Sequence, residues 1–177
     1  MNTNEITRTL DLGCGLKPKN PFKADEVYGV DIRTDDKRIL VADLAIEPIP
    51  FEDNFFDYCS AFDFLEHVPR IIYAPQRRFC FVELMSEIFR VLKPGGRFFS
   101  FTPAFPAPAA WRDPTHVNII TTETFPLYFD NKNTLAKMYG FKGGFIIEKQ
   151  SWNQNKINLM TIMKKPNEIN ELKDKIQ

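Results

Sequence analysis

The chain has 177 residues, of which 44% are hydrophobic, and it carries 23 basic and 23 acidic side chains. This length suits a single domain with one hydrophobic core and leaves no room for a second full-sized module. The balanced charge, without a cluster of lysines and arginines, argues against nucleic acid as a partner. No stretch approaches the roughly 18 consecutive apolar residues of a membrane span, and no secretory leader is recognisable, so we expect a cytoplasmic protein that does not bind membranes.

The cysteines are few and widely separated in the sequence. Cys14, Cys59 and Cys80 are odd in number and lack the paired spacing of a zinc site. They predict reduced thiols, no disulfide and no bound metal.

Short runs of β-forming residues alternate with helical or irregular segments in the first part of the chain. This alternation predicts an α/β domain with a mostly parallel sheet. The predicted strands are Arg8–Leu12, Val27–Ile32, Ile39–Asp43, Phe56–Ala61 and Arg97–Thr102.

The clearest helix lies between the fourth and fifth predicted strands, where Phe81, Met85, Ile88 and Leu92 recur at helical spacing. It should end at the Lys-Pro-Gly-Gly sequence of residues 93–96. A long Pro-rich stretch then precedes short helices expected near residue 121 and over residues 133–139, and a hairpin is predicted over residues 144–164. We therefore predict one domain over residues 1–165, with an acceptor-site or lid insertion at 103–135, and a polar tail over 166–177.

A glycine turn follows the first predicted strand, in Leu-Asp-Leu-Gly-Cys-Gly over residues 10–15. Glycines at the carboxyl end of a parallel strand let backbone N–H groups approach a ligand closely. Asp31 ends the second strand, where a carboxylate can accept hydrogen bonds from ribose hydroxyls, and Asp43 ends the third, where it can accept from an adenine amine. Each acid alone also fits a simple turn or helix cap.

Taken together, these segments resemble the class I S-adenosylmethionine-dependent methyltransferases from about Leu10 to Phe101. The glycine motif, the acidic end of the second strand, Ala42-Asp43-Leu44, the Phe55–Val68 segment and Arg90–Arg97 occur in the family's order. The resemblance implies a Rossmann-like, doubly wound sheet of seven strands with an antiparallel last strand, and S-adenosyl-L-methionine as cofactor. Carried over position by position, it implies these cofactor-binding residues: Asp11, Gly13, Gly15, Asp31, Ile32, Asp43, Leu44 and Phe62.

Two features of the sequence depart from this family. Only nine residues precede the glycine motif, so we expect the helices that commonly cover the substrate there to be missing, and oligomerisation is one way to replace them. The segment of 11 residues between Gly15 and Val27 contains two prolines, so its helix should be very short or absent. Lys17, Lys19 and Lys23 would then lie near the mouth of the pocket or simply in a solvated loop.

The chain has two histidines. His67 follows the fourth strand, where relatives often carry the same letters at the start of a helix, and it is either structural or lines the pocket. His116 lies in the long loop after the fifth strand, which in this fold borders the acceptor site. His116, with Asp113 three residues before it, is the candidate general base, and histidine suits this task at neutral pH. The alternative is an Asx turn beside a packed histidine. His67, Trp111 and Arg112 are candidate substrate residues, and the Asp-Pro-Thr-His segment is similar to methyltransferases of glycan and surface-polysaccharide assembly.

We therefore expect methyl transfer to a small molecule or sugar hydroxyl, in glycan or polysaccharide biosynthesis. One alternative is a catalytically silent cofactor-binding subunit that docks on a partner through exposed Phe125, Tyr128 and Phe129. Another is an NAD-type oxidoreductase, whose fingerprint requires a glycine where this chain has Pro18.

Overall fold

We analysed a computed structural model of the chain that describes residues 5–33, 36 and 39–167. Its centre is a sheet of seven strands in the order β3-β2-β1-β4-β5-β7-β6. The strands are β1 Arg8–Leu12, β2 Glu26–Asp31, β3 Ile39–Val41, β4 Phe56–Phe62, β5 Leu92–Pro103, β6 Ile146–Trp152 and β7 Asn158–Lys164.

The direction of the strands confirms the predicted fold class. The neighbouring strands from β3 through β5 pair in parallel, whereas β7 is antiparallel to both β5 and β6. The five strands expected in the first part of the chain are all present, with ends that differ by a few residues. The predicted hairpin is formed by β6 and β7.

Helices are short apart from one. The helices are α1 Cys80–Val91, α2 Ala109–Arg112 and α3 Thr124–Tyr128, and 3-10 helices form at Leu65–His67 and Leu135–Tyr139. The predicted long helix is confirmed as α1, whose buried Phe81, Met85 and Ile88 pack in the main core. The 133–139 segment forms a 3-10 helix, and α2 was not predicted. Within the described residues, no helix is long and apolar enough to cross a membrane.

The core fills the side of the sheet on which α1 packs. Leu10 and Leu12 alternate with polar neighbours along β1, and their register partners Cys59 and Ala61 point to the same side. Phe125 and Phe129 are also fully buried in this core. The expectation that they are exposed and form a docking surface was therefore wrong, because α3 turns both rings inward; Tyr128 remains exposed.

The connection between β1 and β2 contains no helix, as its length predicted. Instead, its loop lies against the other side of the sheet, where Phe22 stacks on Tyr58 with 4.5 Å between ring centroids. The Lys19 ammonium lies 4.5 Å from the centroid of the Phe62 ring, farther along the same strand. Part of this sheet face is thus covered by a loop in place of a helix. Most of the polar tail over residues 166–177 lies outside the described residues.

Candidate functional site

The glycine turn after β1 has the backbone shape that only glycine adopts readily. Gly13 and Gly15 have φ angles of 62° and 59°, in the left-handed region. The Gly13 N–H donates to the Val30 carbonyl over 2.9 Å, which joins the turn to β2. Gly15 faces open space, since no atom lies within 4 Å of the position that a Cβ would take. The turn is therefore accessible at Gly15.

Asp31 lies directly beside this open glycine. Its Oδ2 accepts a hydrogen bond of 2.8 Å from the Gly15 N–H, and its Oδ1 accepts one from the Arg33 N–H. The half-buried carboxylate keeps lone pairs for further donors, as a ribose site requires. The structure thus brings the tips of β1 and β2 together around one carboxylate.

Exposed apolar side chains surround the same edge of the sheet. Leu16, Ile32 and Val41 follow or end β1, β2 and β3, and 76%, 55% and 63% of their surfaces are exposed. Apolar residues at the ends of three adjacent strands are typical of a site that packs against a flat apolar ligand such as a purine.

Asp43 begins the turn that follows β3. Its Oδ1 accepts from the Ala45 N–H over 3.0 Å, and its own N–H donates to Glu47 Oε2. Leu44 is buried beneath the turn. Asp43 therefore forms this turn, in agreement with its alternative interpretation, and its contact with an adenine amine stays a prediction. It lies two residues after the end of β3, next to Ala42, whose N–H donates to the Asp31 carbonyl.

Asp11 and Phe62 have surroundings that sequence reasoning did not anticipate. Both Asp11 oxygens are occupied, by the Lys19 N–H at 2.8 Å and the Ser60 hydroxyl at 2.6 Å, and burial raises the pKa of Asp11. Asp11 therefore anchors the β1–β2 loop. Phe62 packs on the sheet face against Phe99 and Phe101.

The residue that does reach the glycine turn from β4 is Phe64, which sequence reasoning missed. Its ring lies so close to Gly13 that a Cβ there would be 2.3 Å from Phe64 Cδ2. The only available signal was its position in the turn after β4. The ring fixes the glycine turn from the side opposite β2.

A second polar cluster, which we call the His–Glu cluster, lies beyond β4 and β5 and consists of Glu66, His67 and His116. The two imidazole rings meet edge to face with 4.8 Å between their centroids. One potential ligand atom from each of the three residues lies within 4.8 Å of the others. Both histidines predicted to be near the acceptor are therefore neighbours.

Backbone hydrogen bonds hold the two halves of the His–Glu cluster together. Glu66 and His67 end the 3-10 helix after β4, whereas His116 belongs to the loop after α2. The N–H groups of Val117 and Asn118 both donate to the Glu66 carbonyl, over 2.9 and 3.0 Å. The Asn118 side chain adds a third bond, to the Leu65 carbonyl. The long loop after β5 is thus fastened to the end of β4.

Glu66 is the buried member of the cluster and was not predicted as a site residue. It is 1% exposed, and Thr102 donates to its Oε2 over 2.7 Å while Oε1 has no partner among the described residues. Burial raises the pKa of Glu66 to about 7. A lone acid between Leu65 and His67 gave no periodic signal for burial, so the sequence did not reveal it.

Asp113 lies next to His116, as the spacing predicted, but the two side chains are too far apart for a hydrogen bond. Its Oδ2 is 3.8 Å from His116 Nε2. Its Oδ1 accepts from both the N–H and the hydroxyl of Thr115, which lowers the pKa of Asp113. The Thr115 hydroxyl also lies 3.1 Å from His67 Nδ1. The Asx turn and the histidine contact therefore coexist.

Trp111 and Arg112 end α2, and both are exposed at the surface that precedes this turn. Neither side chain belongs to the His–Glu cluster. They remain candidates for contacts with a ligand that extends beyond it.

A family model described as a methyltransferase domain matches residues 10–100. The match covers half of the chain, from the middle of β1 through most of β5. The chain belongs to this methyltransferase-domain family. The strand order and the antiparallel β7 described above agree with this assignment.

The methyltransferase domain is also similar to curated and solved proteins. It is 31% identical over 111 residues to the sterol 24-C-methyltransferase erg6 of Schizosaccharomyces pombe, a match that covers 52% of this chain and 26% of the relative. It is 35% identical over 112 residues to the methyltransferase phqN of Penicillium fellutanum, covering 55% of this chain and 32% of the relative. The matched part therefore spans about a quarter to a third of each relative's length.

Among solved structures, the methyltransferase domain resembles a SAM-dependent methyltransferase from Archaeoglobus fulgidus with a TM-score of 0.58 and 17% identity. That match covers 91% of this chain and 87% of the other. At this level of identity the similarity establishes the fold and not the substrate.

Proposed function

We propose that this methyltransferase domain binds S-adenosyl-L-methionine and transfers its methyl group to a hydroxyl of a small molecule, such as a sugar. The observation that carries the proposal is the convergence of two sites at the carboxyl edge of one sheet. The Gly15–Asp31 pair and the exposed apolar residues occupy the tips of β1 to β3. The His–Glu cluster follows β4 and β5, which are the next strands in the sheet.

The residues at the first site fit the cofactor. The Asp31 carboxylate keeps lone pairs that can accept from ribose hydroxyls, and Ile32 and Val41 offer apolar surface for an adenine. The open space at Gly15 admits the amino-acid portion close to the backbone, where a side chain would block it. When bound, S-adenosylmethionine supplies a methyl group on a positively charged sulfur, which is already a good leaving group.

The second site supplies what a hydroxyl acceptor needs. A hydroxyl that gains a methyl group on oxygen must lose its proton, and a histidine can take this proton at neutral pH. We assign this role to His116, with Asp113 at 3.8 Å stabilising the imidazolium that forms. His67 lines the same site and orients the acceptor.

A sugar is the acceptor class that the surrounding residues favour. The exposed indole of Trp111 offers an apolar face to the C–H surface of a sugar ring, and the Arg112 guanidinium offers several donors to its hydroxyls. Both residues lie within five positions of His116 in the sequence.

The test is the release of S-adenosylhomocysteine by the purified chain in the presence of a panel of sugars, with amines and thiols as other acceptor classes. We expect turnover with a sugar hydroxyl. His116→Ala should reduce kcat by about 100-fold while the Kd for S-adenosylhomocysteine stays unchanged, because general-base catalysis contributes on this order.

His67→Ala is the matched control, because it removes the other imidazole of the cluster. It should raise KM more than it lowers kcat. Turnover with amines or thiols alone would refute the hydroxyl acceptor. Weaker cofactor binding by His116→Ala, with normal turnover of the bound complex, would refute the base assignment.

A further inference from the structure

The His–Glu cluster contains an arrangement that proton transfer alone does not explain. It combines both histidines of the chain with a carboxylate that is 1% exposed. Two of its buried atoms, Glu66 Oε1 and His116 Nδ1, have no hydrogen-bond partner among the described residues. Buried polar atoms without partners are rare because each one loses its hydration without compensation.

In each of the three side chains, one polar atom contacts a neighbouring residue. The second polar atom of each side chain is then available to a ligand. Thr102 binds Glu66 Oε2 and leaves Oε1. Thr115 contacts His67 Nδ1 and leaves Nε2, whereas Asp113 lies near His116 Nε2 and leaves Nδ1. In metal sites, a hydroxyl or carboxylate group commonly contacts the atom of the ligand side chain that does not coordinate the metal, and this contact orients the ligand.

We propose that Glu66, His67 and His116 together bind a divalent transition-metal ion such as Zn²⁺. Two imidazoles and one carboxylate are a donor set that zinc, cobalt and iron accept, and three protein ligands leave a position open for a further ligand. The side chains would move together on binding, because ligand atoms that now lie within 4.8 Å of one another would approach to about 3.4 Å around zinc.

The ion would be coordinated by the unpartnered atoms Glu66 Oε1 and His116 Nδ1. Glu66 is fixed by Thr102 and by its carbonyl, which accepts from Val117 and Asn118, so the buried ligand is already in place. His67 is exposed and can turn toward it. The absence of a paired-cysteine motif does not argue against such a site, since no cysteine belongs to it.

The role of the ion, but not its binding, rests on the proposed function. An acceptor hydroxyl at the open position of the ion loses its proton more readily, because the ion stabilises the alkoxide. The proton would then pass to solvent. In the metal-bound protein, His116 would support turnover as a ligand, whereas in the metal-free protein it acts as the base.

The experiment is a titration of the full chain, without cofactor or acceptor, first with Co²⁺ and then with Zn²⁺. We expect one equivalent of Co²⁺ to bind and to give d–d absorption in the visible range, without a thiolate charge-transfer band. Zn²⁺ should displace it. Mg²⁺ should not compete, because it prefers an octahedral shell of oxygens.

The variants Glu66→Gln and His116→Ala should each weaken Zn²⁺ binding by at least about 10-fold. Glu148→Gln is the control carboxylate, since Glu148 pairs with Arg97 at the other edge of the sheet and should leave the affinity unchanged. Circular dichroism should show that all three variants are folded.

Failure of the wild-type chain to bind Co²⁺ or Zn²⁺ at millimolar concentration would overturn the proposal, as would undiminished binding by both cluster variants. Methyl transfer is measured separately, with and without a chelator. Metal binding without any hydroxyl methylation would refute the proposed function alone. Methylation that a chelator leaves unchanged, together with no metal binding, would refute the metal site alone.

Discussion

At the residue scale, Gly13 and Gly15 have similar backbone angles, but their surroundings require glycine for different reasons. Both have positive φ, so both favour glycine. At Gly13 the Phe64 ring also excludes a side chain, whereas Gly15 borders open space. Gly13 is therefore required for packing, whereas Gly15 leaves the turn open at the place where we propose that the cofactor binds.

This difference predicts unequal losses of stability. Gly15→Ala should lower the free energy of unfolding by about 1–2 kcal/mol, the usual strain of a left-handed alanine. Gly13→Ala should cost roughly 1–3 kcal/mol more, because Phe64 must move. Urea unfolding of the two variants measures the difference directly, and equal losses would show that Phe64 does not constrain the turn.

Cys14 stands between these glycines, and its thiol is buried. Burial, followed by the nearby Asp11 and Asp31 carboxylates, raises the pKa of Cys14 to about 11. Burial also raises the pKa of Cys59 and Cys80. The reactive thiolate is therefore scarce at neutral pH.

The native protein should consequently react slowly with a thiol reagent. At pH 8, about one Cys14 in a thousand is a thiolate, so alkylation should accelerate about tenfold per pH unit toward pH 11. Denatured protein should expose three fast thiols. Cys14→Ser identifies the contribution of this residue, and a thiol that reacts at pH 8 as fast as free cysteine would contradict the burial.

At the element scale, the loop between β1 and β2 replaces a helix on one side of the sheet. Its contacts include the Asp11–Lys19 bond, the mutual bonds of Asn20 and Ala24, and the stack of Phe22 on Tyr58. These contacts fasten the loop that follows the glycine turn to β1 and β4. The loop therefore supports the proposed cofactor site through these contacts.

Phe22→Ala should loosen this loop selectively. Loss of the stack and of its apolar burial should lower the free energy of unfolding by roughly 1–3 kcal/mol and speed tryptic cleavage after Lys19 and Lys23. Phe22→Leu keeps the apolar contact and should fall between the two. Cleavage of Phe22→Ala at the wild-type rate would mean that other contacts hold the loop.

Elements with a regular pattern were predictable from the sequence, and those fixed by tertiary contacts were not. The strands and α1 follow from hydrophobic periodicity, and the absence of a helix after Gly15 follows from length and prolines. The 3-10 helix over Leu135–Tyr139 and the inward rings of Phe125 and Phe129 depend on packing against distant segments. Such contacts leave no local signature.

The candidate site residues also fall into two groups, those that a sequence pattern predicts and those that only tertiary contacts bring into place. Gly13, Gly15 and Asp31 could be predicted because the ends of parallel strands share one edge, and the structure brings them together. Glu66 could not, because its importance arises from burial between β5 and the loop of His116. Phe64 likewise acquires its role only when β4 lies beside β1.

At the scale of the whole molecule, the strand order decides which sites can cooperate. The order β3-β2-β1-β4-β5 puts the proposed nucleoside site at three strand tips and the His–Glu cluster at the following two. Both face the same edge because these strands are parallel. In our proposal the nucleoside site is the basis of every functional step, since methyl transfer requires the cofactor to bind there.

The most direct test of this claim is isothermal titration of the chain with S-adenosylhomocysteine, repeated with Asp31→Ala and with NAD⁺. We predict one bound S-adenosylhomocysteine per chain, a Kd that rises roughly 10- to 100-fold in Asp31→Ala through loss of hydrogen bonds to a charged group, and no binding of NAD⁺. Glu148→Gln should bind like the wild type. Binding of NAD⁺ in place of S-adenosylhomocysteine, or equal affinity in Asp31→Ala, would contradict the account.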